Sequence, residues 1–238
     1  DNANANANDN DNDNDNDNDN DNKKLLGQYF TTNTSLLDDI ESLIQIRKPF
    51  NCLEPSSGKG HLVQLMEKYD ANVIAIEVDD TLETICDTVA IRKSYFDVTF
   101  DENVSFDLIL ANPPYVKYGL IDEVPANSCI KCGNLYLYFI ERSLELLETN
   151  GIMIFVLPKE FFSCTRGASL RRKLFENGTI THYYDYEEQR VFDDACPQTV
   201  ILRYEKNNSS HSTIYANRNS GKEETLCETI ENGKYIFN

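Results

Sequence analysis

Basic residues are scarce in this 238-residue chain: 22 Lys and Arg stand against 40 Asp and Glu, a formal net charge of −18. Part of the imbalance is local, because residues 1–22 alternate Asn with Asp or Ala and hold eight of the acids and none of the bases. The remainder still carries 32 acids against 22 bases. Phosphate contacts need Lys and Arg, so such a body is a poor unaided surface for nucleic acid. No run of 18 apolar residues occurs, so no membrane span is expected, and no secretory signal is visible. Seven cysteines, an odd number, indicate reduced intracellular use and a cytoplasmic location. Their one close pair, Cys129-Ile130-Lys131-Cys132, has no second pair and no His beside it. It reads as loop cysteines rather than a zinc site, and no metal is expected. Both GxGxxG and GxxxxGK[ST] are missing, which argues against a dinucleotide oxidoreductase and against a phosphate cradle.

The chain divides into three parts. Residues 1–22 have no apolar face at any period and cannot offset the entropy of ordering, so they are expected to be disordered or artefactual. Residues 23–205 form the body. After a turn-rich entry, Ser35 can cap an amphipathic helix with Leu36, Leu37, Ile40, Leu43 and Ile44 on one face. Short strands are expected at 51–54, 73–77, 106–111, 151–157, 180–186 and 199–204. Helices are expected at 61–69, at 82–90 (capped by Asp80), at 134–148 and at 168–175. Strands alternating with helices, two of them continuously apolar, define an α/β chain around a mostly parallel sheet. Residues 206–238 are polar and read as a tail or linker toward something absent.

Two places carry chemistry. Glu54 ends one strand and runs into Pro55-Ser56-Ser57-Gly58-Lys59-Gly60, a glycine turn that lets backbone approach a ligand. Taken alone this is equally an ordinary strand-to-helix turn. Glu77 ends the next strand, where a carboxylate can accept from two ribose hydroxyls. Two strand-end acids suit a ligand with an adenosine and a positive centre better than a pyrophosphate. Further on, Asn112-Pro113-Pro114-Tyr115 directly follows the strand FDLILA. Two prolines remove two donors and stiffen the chain. An Asn carbonyl, a Pro carbonyl and an aromatic ring remain, a set that can accept both N–H bonds of a planar amine and stack on its ring. His61 and His182 read as a helix-surface and a strand residue, so no general base is evident.

These motifs resemble the S-adenosylmethionine-dependent, amino-methylating DNA methyltransferases, and more narrowly the gamma-ordered adenine-N6 class of restriction–modification enzymes. The likeness runs from Gly27-Gln28-Tyr29-Phe30-Thr31-Thr32 through Glu54–Gly60, Ile76-Glu77-Val78-Asp79 and Asn112-Pro113-Pro114-Tyr115. It continues with Gly133-Asn134-Leu135-Tyr136 and Phe155-Val156-Leu157-Pro158-Lys159-Glu160, and ends with Arg190-Val191-Phe192 and Thr199-Val200-Ile201-Leu202. It implies a Rossmann-like class I methyltransferase fold, a mostly parallel seven-stranded sheet with helices on both faces and an antiparallel last strand. It implies that Tyr29, Phe30, Thr31, Glu54, Ser56 and Gly58 surround the methionine part of S-adenosyl-L-methionine and that Glu77 holds its ribose. Leu135 and Tyr136 would shape the pocket. Asn112 and the Pro113 carbonyl would hold the target amine, with Pro114 stiffening the turn, Tyr115 stacking on a flipped adenine and Phe192 helping to hold it. The acid facing the cofactor adenine departs from the family pattern; Asp97 or Ser94 takes that role, and Asp97 is preferred. In the gamma order sequence recognition follows the catalytic region. Double-stranded DNA would therefore be reached through a missing recognition domain or a separate specificity subunit. The four-residue motif alone is shared with methyltransferases of RNA bases and of protein glutamine; a non-catalytic subunit of the same fold is the other alternative, and the intact Asn112–Tyr115 motif and Glu77 argue against it.

Overall fold

The computed structural model describes residues 31–45, 50–117, 128–130, 133–187, 189, 191–192 and 198–238. The repeat at 1–22, with Tyr29, Phe30, Cys132 and Arg190, lies outside them. In chain order the elements are α1 (Thr34–Leu43), β1 (Asn51–Glu54), α2 (His61–Glu67), β2 (Asn72–Glu77), β3 (Ile91–Arg92), β4 (Phe106–Ala111) and α3 (Leu135–Leu146). There follow β5 (Leu147–Pro158), α4 (Ala168–Asn177), β6 (Gly178–Asp185), β7 (Thr199–Lys206), β8 (Ser212–Asn217), β9 (Glu223–Glu231) and β10 (Lys234–Phe237).

The ten strands of the described residues form one sheet, ordered β10-β9-β8-β6-β7-β5-β4-β1-β2-β3. From β3 to β5 the pairs are parallel, and β7 runs antiparallel to both β5 and β6. The seven strands from β3 to β6 are the expected core, with one reversed strand.

Alternation along each central strand builds two cores. On one face Cys52, Leu108, Leu110, Ile152, Ile154, Val156 and Ile201 meet α1 and α2 through Leu36, Ile40, Leu43, Leu62, Leu65 and Met66. On the other, Leu53, Ile109, Ala111, Met153, Phe155, Leu157 and Leu202 meet α3 and α4. Helices thus cover both faces, as a near-continuous apolar strand such as β5 requires. Asn33, rather than Ser35, caps α1: its side chain accepts from the Leu36 N–H at 3.1 Å. Buried Arg203 on β7 fastens the other end of that helix, its Nε donating to the Leu43 carbonyl at 3.0 Å.

Two expectations need correction. Residues 82–90 form no helix, and Ile85 and Val89 are 50% and 89% exposed. Their backbone is held by tertiary partners instead. The Ile85 N–H donates to the Lys59 carbonyl at 2.9 Å, and the Thr88 N–H and hydroxyl each donate to Glu67 at 2.7 Å. Asp79, not Asp80, makes the local turn, accepting from the Thr81 N–H and hydroxyl. Second, residues 206–238 are no linker: they supply β8, parallel to β6, and the antiparallel hairpins through β9 and β10. Fully buried Arg171 on α4 secures them, donating from Nε to the Gly233 carbonyl at 2.7 Å and from Nη1 to the Phe161 carbonyl at 2.6 Å.

Candidate functional site

The central strand β1 has β2 on one side and β4 on the other, so the direction of winding reverses there. Ligands of open α/β sheets bind at such a point, beyond the carboxyl ends of the strands. Glu54, Glu77 and Asn112 sit at or directly after the ends of β1, β2 and β4. Residues far apart in sequence are thereby gathered on one edge.

Both glutamates are almost inaccessible, Glu54 at 1% and Glu77 at 4% exposure. The Ser56 N–H donates to Glu54 Oε1 at 2.9 Å. Burial pushes the Glu54 carboxyl up to about 8; the Ser56 N–H opposes this and the charge of Glu77 adds to it. Glu77 receives the Gly58 N–H on Oε2 at 2.7 Å and the Asp79 N–H on Oε1 at 2.9 Å. Its carboxyl is also raised by burial, against those two bonds. The turn between β1 and α2 is possible because Gly58 and Gly60 adopt positive φ, 52° and 92°. A Cβ on Gly60 would stand 2.5 Å from Cys86 Sγ. In the same turn the buried Ser57 hydroxyl has no hydrogen-bond partner among the described residues.

At the end of β4 the Asn112 side chain is gripped from both sides. Its Nδ2 donates to the Thr31 hydroxyl at 3.1 Å, and its Oδ1 accepts from the Tyr115 hydroxyl at 2.8 Å. That hydroxyl is also 2.9 Å from the Val156 carbonyl of β5. Tyr136 meets the Tyr115 ring edge-on, with centroids 6.1 Å apart. Tyr115 is thus fixed at its hydroxyl and against its ring.

The structure brings together Thr31, Glu54, Ser56, Gly58, Glu77, Asn112 and Tyr115, while Tyr29 and Phe30 lie outside the described residues. Thr31 contacts the Asn112 amide, a partnership across 81 residues with no local sequence signal. Leu135 and Tyr136 are buried at the start of α3. The Leu135 N–H donates to the Val116 carbonyl at 2.8 Å, which ties that helix to the segment after Tyr115. Phe192 is buried in the α1-side core, in the cluster that also holds Tyr184, Tyr186 and Val191. Asp97 is exposed on a 3-10 turn, Tyr95–Asp97, which Ser94 caps by accepting the Phe96 N–H at 3.3 Å. Among the described residues no cluster of His, Cys, Asp and Glu is arranged to hold a metal ion, and no helix is long and apolar enough to cross a membrane.

This sheet and its strand-end acids define the class I, Rossmann-like S-adenosylmethionine-dependent methyltransferase fold. A Listeria monocytogenes protein described as a member of that class superposes with a TM-score of 0.63 at 16% identity, over 79% of this chain and 65% of its own. The methyltransferase subunit of a type I restriction-modification system from Streptococcus thermophilus superposes with a TM-score of 0.65 at 17% identity, over 90% of this chain and 51% of its own. At such identities the likeness carries the fold. The family follows from sequence: the Eco57I restriction-modification methylase model matches residues 2–192, and the chain belongs to that family. The type II methyltransferase M.HincII of Haemophilus influenzae is 32% identical over 192 residues, which is 76% of this chain and 37% of that protein. M.AccI of Acinetobacter calcoaceticus is 26% identical over 88% of this chain and 42% of its own length. The chain therefore spans about two fifths of the curated relatives it matches.

Proposed function

We propose that this chain transfers the methyl group of S-adenosyl-L-methionine to the N6 amine of an adenine flipped out of double-stranded DNA. It would act as a gamma-class, adenine-specific catalytic unit of the cytoplasm, with site recognition supplied by a further domain or a separate specificity subunit. One observation carries the reading. A clamped Asn112-Pro113-Pro114-Tyr115 turn stands at a strand end next to two buried strand-end glutamates, at the point where the sheet reverses.

The residues fit the cofactor. Two carboxyl groups buried with no cation in contact among the described residues call for a ligand rich in donors and positive charge, and S-adenosylmethionine carries ribose hydroxyls, an ammonium and a sulfonium. The unpartnered Ser57 hydroxyl adds a polar atom in the turn between them. Glu54, Ser56 and Gly58 would hold the methionine part and Glu77 the ribose. When bound, the cofactor supplies an electrophilic methyl on a good leaving group.

The chain's own residues then have one problem, a weak nucleophile whose lone pair is delocalised into the adenine ring. Asn112 Oδ1 and the Pro113 carbonyl would accept the two N–H bonds of the amine. Their pull is strongest as positive charge develops on nitrogen, which lowers the barrier rather than merely binding substrate. Thr31 and Tyr115 keep the Asn112 amide from rotating, so this acceptor needs no reorganisation. Tyr115 would stack on the extruded base and offset part of the unstacking cost, and Phe192 would back the opposite wall.

Incubation with S-adenosylmethionine and DNA, followed by nucleoside digestion and mass spectrometry, tests this. N6-methyladenine that disappears in Asn112→Ala is the expected product. Methylation of RNA or of protein glutamine instead would replace the substrate while keeping the chemistry.

A further inference from the structure

The turn between β8 and β9 reaches the same edge as the candidate site. β8 runs parallel to β6 with Asn217 opposite Asp185, and Asp185 in turn lies opposite Val200 on β7, next to the Pro158–Thr199 pair that ends β5. The turn is stiff on its own account. Asn217 Oδ1 accepts the N–H groups of Asn219 at 3.0 Å and Ser220 at 2.8 Å, and the Asn217 N–H donates to the Lys222 carbonyl at 2.8 Å.

From this rigid turn, polar bonds run in two directions. Toward the segment that leads to Phe192, Glu187 accepts from Asn217 Nδ2 at 2.7 Å and from Asn219 Nδ2 at 3.3 Å, and Gln189 Nε2 donates to the Arg218 carbonyl at 3.1 Å. Toward α1, Arg218 Nη2 donates to Asp39, whose other carboxylate oxygen takes the Tyr186 hydroxyl. The Arg218 guanidinium also lies over the Tyr184 ring, 4.0 Å from its centroid. Helix α1 is anchored independently, by Arg203 at Leu43 and by Lys68 at Glu41. It is therefore the fixed post, and Tyr186, Glu187 and Gln189, which precede Phe192 in the chain, are the part that depends on the lashing.

We propose that Arg218 is a positioning residue for the adenine-holding wall, and that the β8–β9 turn belongs functionally to the site although it lies outside the seven-stranded core. The proposal rests on the adenine reading above. Among the described residues the contacts of Arg218 run to Asp39, Tyr184 and Gln189, so its loss would loosen the wall that carries Phe192 and leave the cofactor side in place.

The test uses the full chain loaded with S-adenosylhomocysteine and two single-stranded oligonucleotides of equal length, one containing adenines and one with abasic residues in their place. Binding is read by fluorescence anisotropy, and cofactor affinity by calorimetry. In Arg218→Ala the adenine-over-abasic preference should fall about fivefold or more, while cofactor affinity stays within twofold; Arg218→Lys, which keeps the charge, should recover part of the preference. Lys222→Ala, in the same turn and losing only a side chain that pairs with Glu224, should behave as wild type. An Arg218→Ala chain with its full adenine preference overturns the proposal, and so does equal loss of cofactor binding, which would mark a general structural role. If Arg218→Ala fails to fold, Gln189→Ala takes its place with the same expected loss and the same refuting outcomes. A wild type with no adenine preference while still binding cofactor refutes the adenine reading itself, and the proposal with it.

Discussion

Glu54 should release a proton when S-adenosylmethionine binds. With its carboxyl pushed up to about 8, roughly nine in ten ligand-free chains carry it neutral at pH 7. An ammonium or sulfonium brought against it favours the carboxylate. A return toward the ordinary 4.5 is worth roughly 5 kcal/mol between the two protonation states, of which about 1 separates pH 7 from pH 8. Apparent affinity should therefore rise up to about tenfold per pH unit between roughly pH 5 and 8 and level off above. At pH 7 about 0.9 proton should leave Glu54 per ligand bound, less about 0.1 taken up by a ligand amine of ordinary pKa.

Calorimetric titration at pH 7 in buffers of different ionisation enthalpy measures this number directly, as the slope of observed enthalpy against buffer enthalpy. Glu54→Gln keeps the shape and should abolish the release. Zero net release by wild type, or the same release by Glu54→Gln, refutes the reasoning. The ligand-free chain gives an independent check with the opposite dependence on pH. A carboxyl whose folded value is raised contributes stability that is complete below about pH 4.5 and is lost as pH rises through about 8. Melting temperature should fall over that window, and Glu54→Gln should flatten the fall.

Tyr115→Phe removes the hydroxyl that holds Asn112 Oδ1 and keeps the ring; single-turnover methylation should slow about tenfold, roughly 1.4 kcal/mol, with DNA affinity little changed, whereas Tyr115→Ala should lose both. Gly60→Ala should cost about 1–3 kcal/mol in urea unfolding, because the residue has φ of 92° and its new Cβ meets Cys86; adding Cys86→Ala should recover only the contact part. Arg171→Leu strands the carbonyls of Phe161, Cys164 and Gly233 and should destabilise the chain by about 2–4 kcal/mol, with faster amide exchange in β9 and β10 as its local signature.

What could be seen in the sequence was whatever a short stretch of chain decides for itself. The strand β5 is legible because IMIFVLP is apolar at every position between a glycine and a proline, which only a strand covered on both faces requires. Glu54, Glu77 and Asn112 are legible because each closes such a strand, and strands of one direction must end on one edge. The hairpins β8 to β10 announce themselves far less, because a half-exposed strand of four to nine residues needs only a few apolar positions. Thr213, Ala216, Glu228 and Tyr235 are buried there, and Tyr235 and Phe237 pack on Phe162 from the sheet's far end. Residues 82–90 mislead in the reverse sense. Leu82, Ile85 and Val89 have helical spacing, but the segment carries three Thr or Val residues that favour extended chain, and its backbone finds partners in Lys59 and Glu67.

The contacts that hold the site still are the least legible of all, and the reason is distance along the chain. Thr31 meets Asn112 across 81 residues, Asp39 meets Tyr186 across 147 and Arg218 across 179. No periodicity or turn signal spans such intervals; only the order of strands in the sheet decides which side chains become neighbours. Chemistry-bearing residues can thus be found one strand at a time, whereas residues that orient them become visible only after the sheet has been assembled. That asymmetry is why the reacting turn at Asn112 stands out in the sequence and why Arg218, in a stretch that looks like a polar tail, does not.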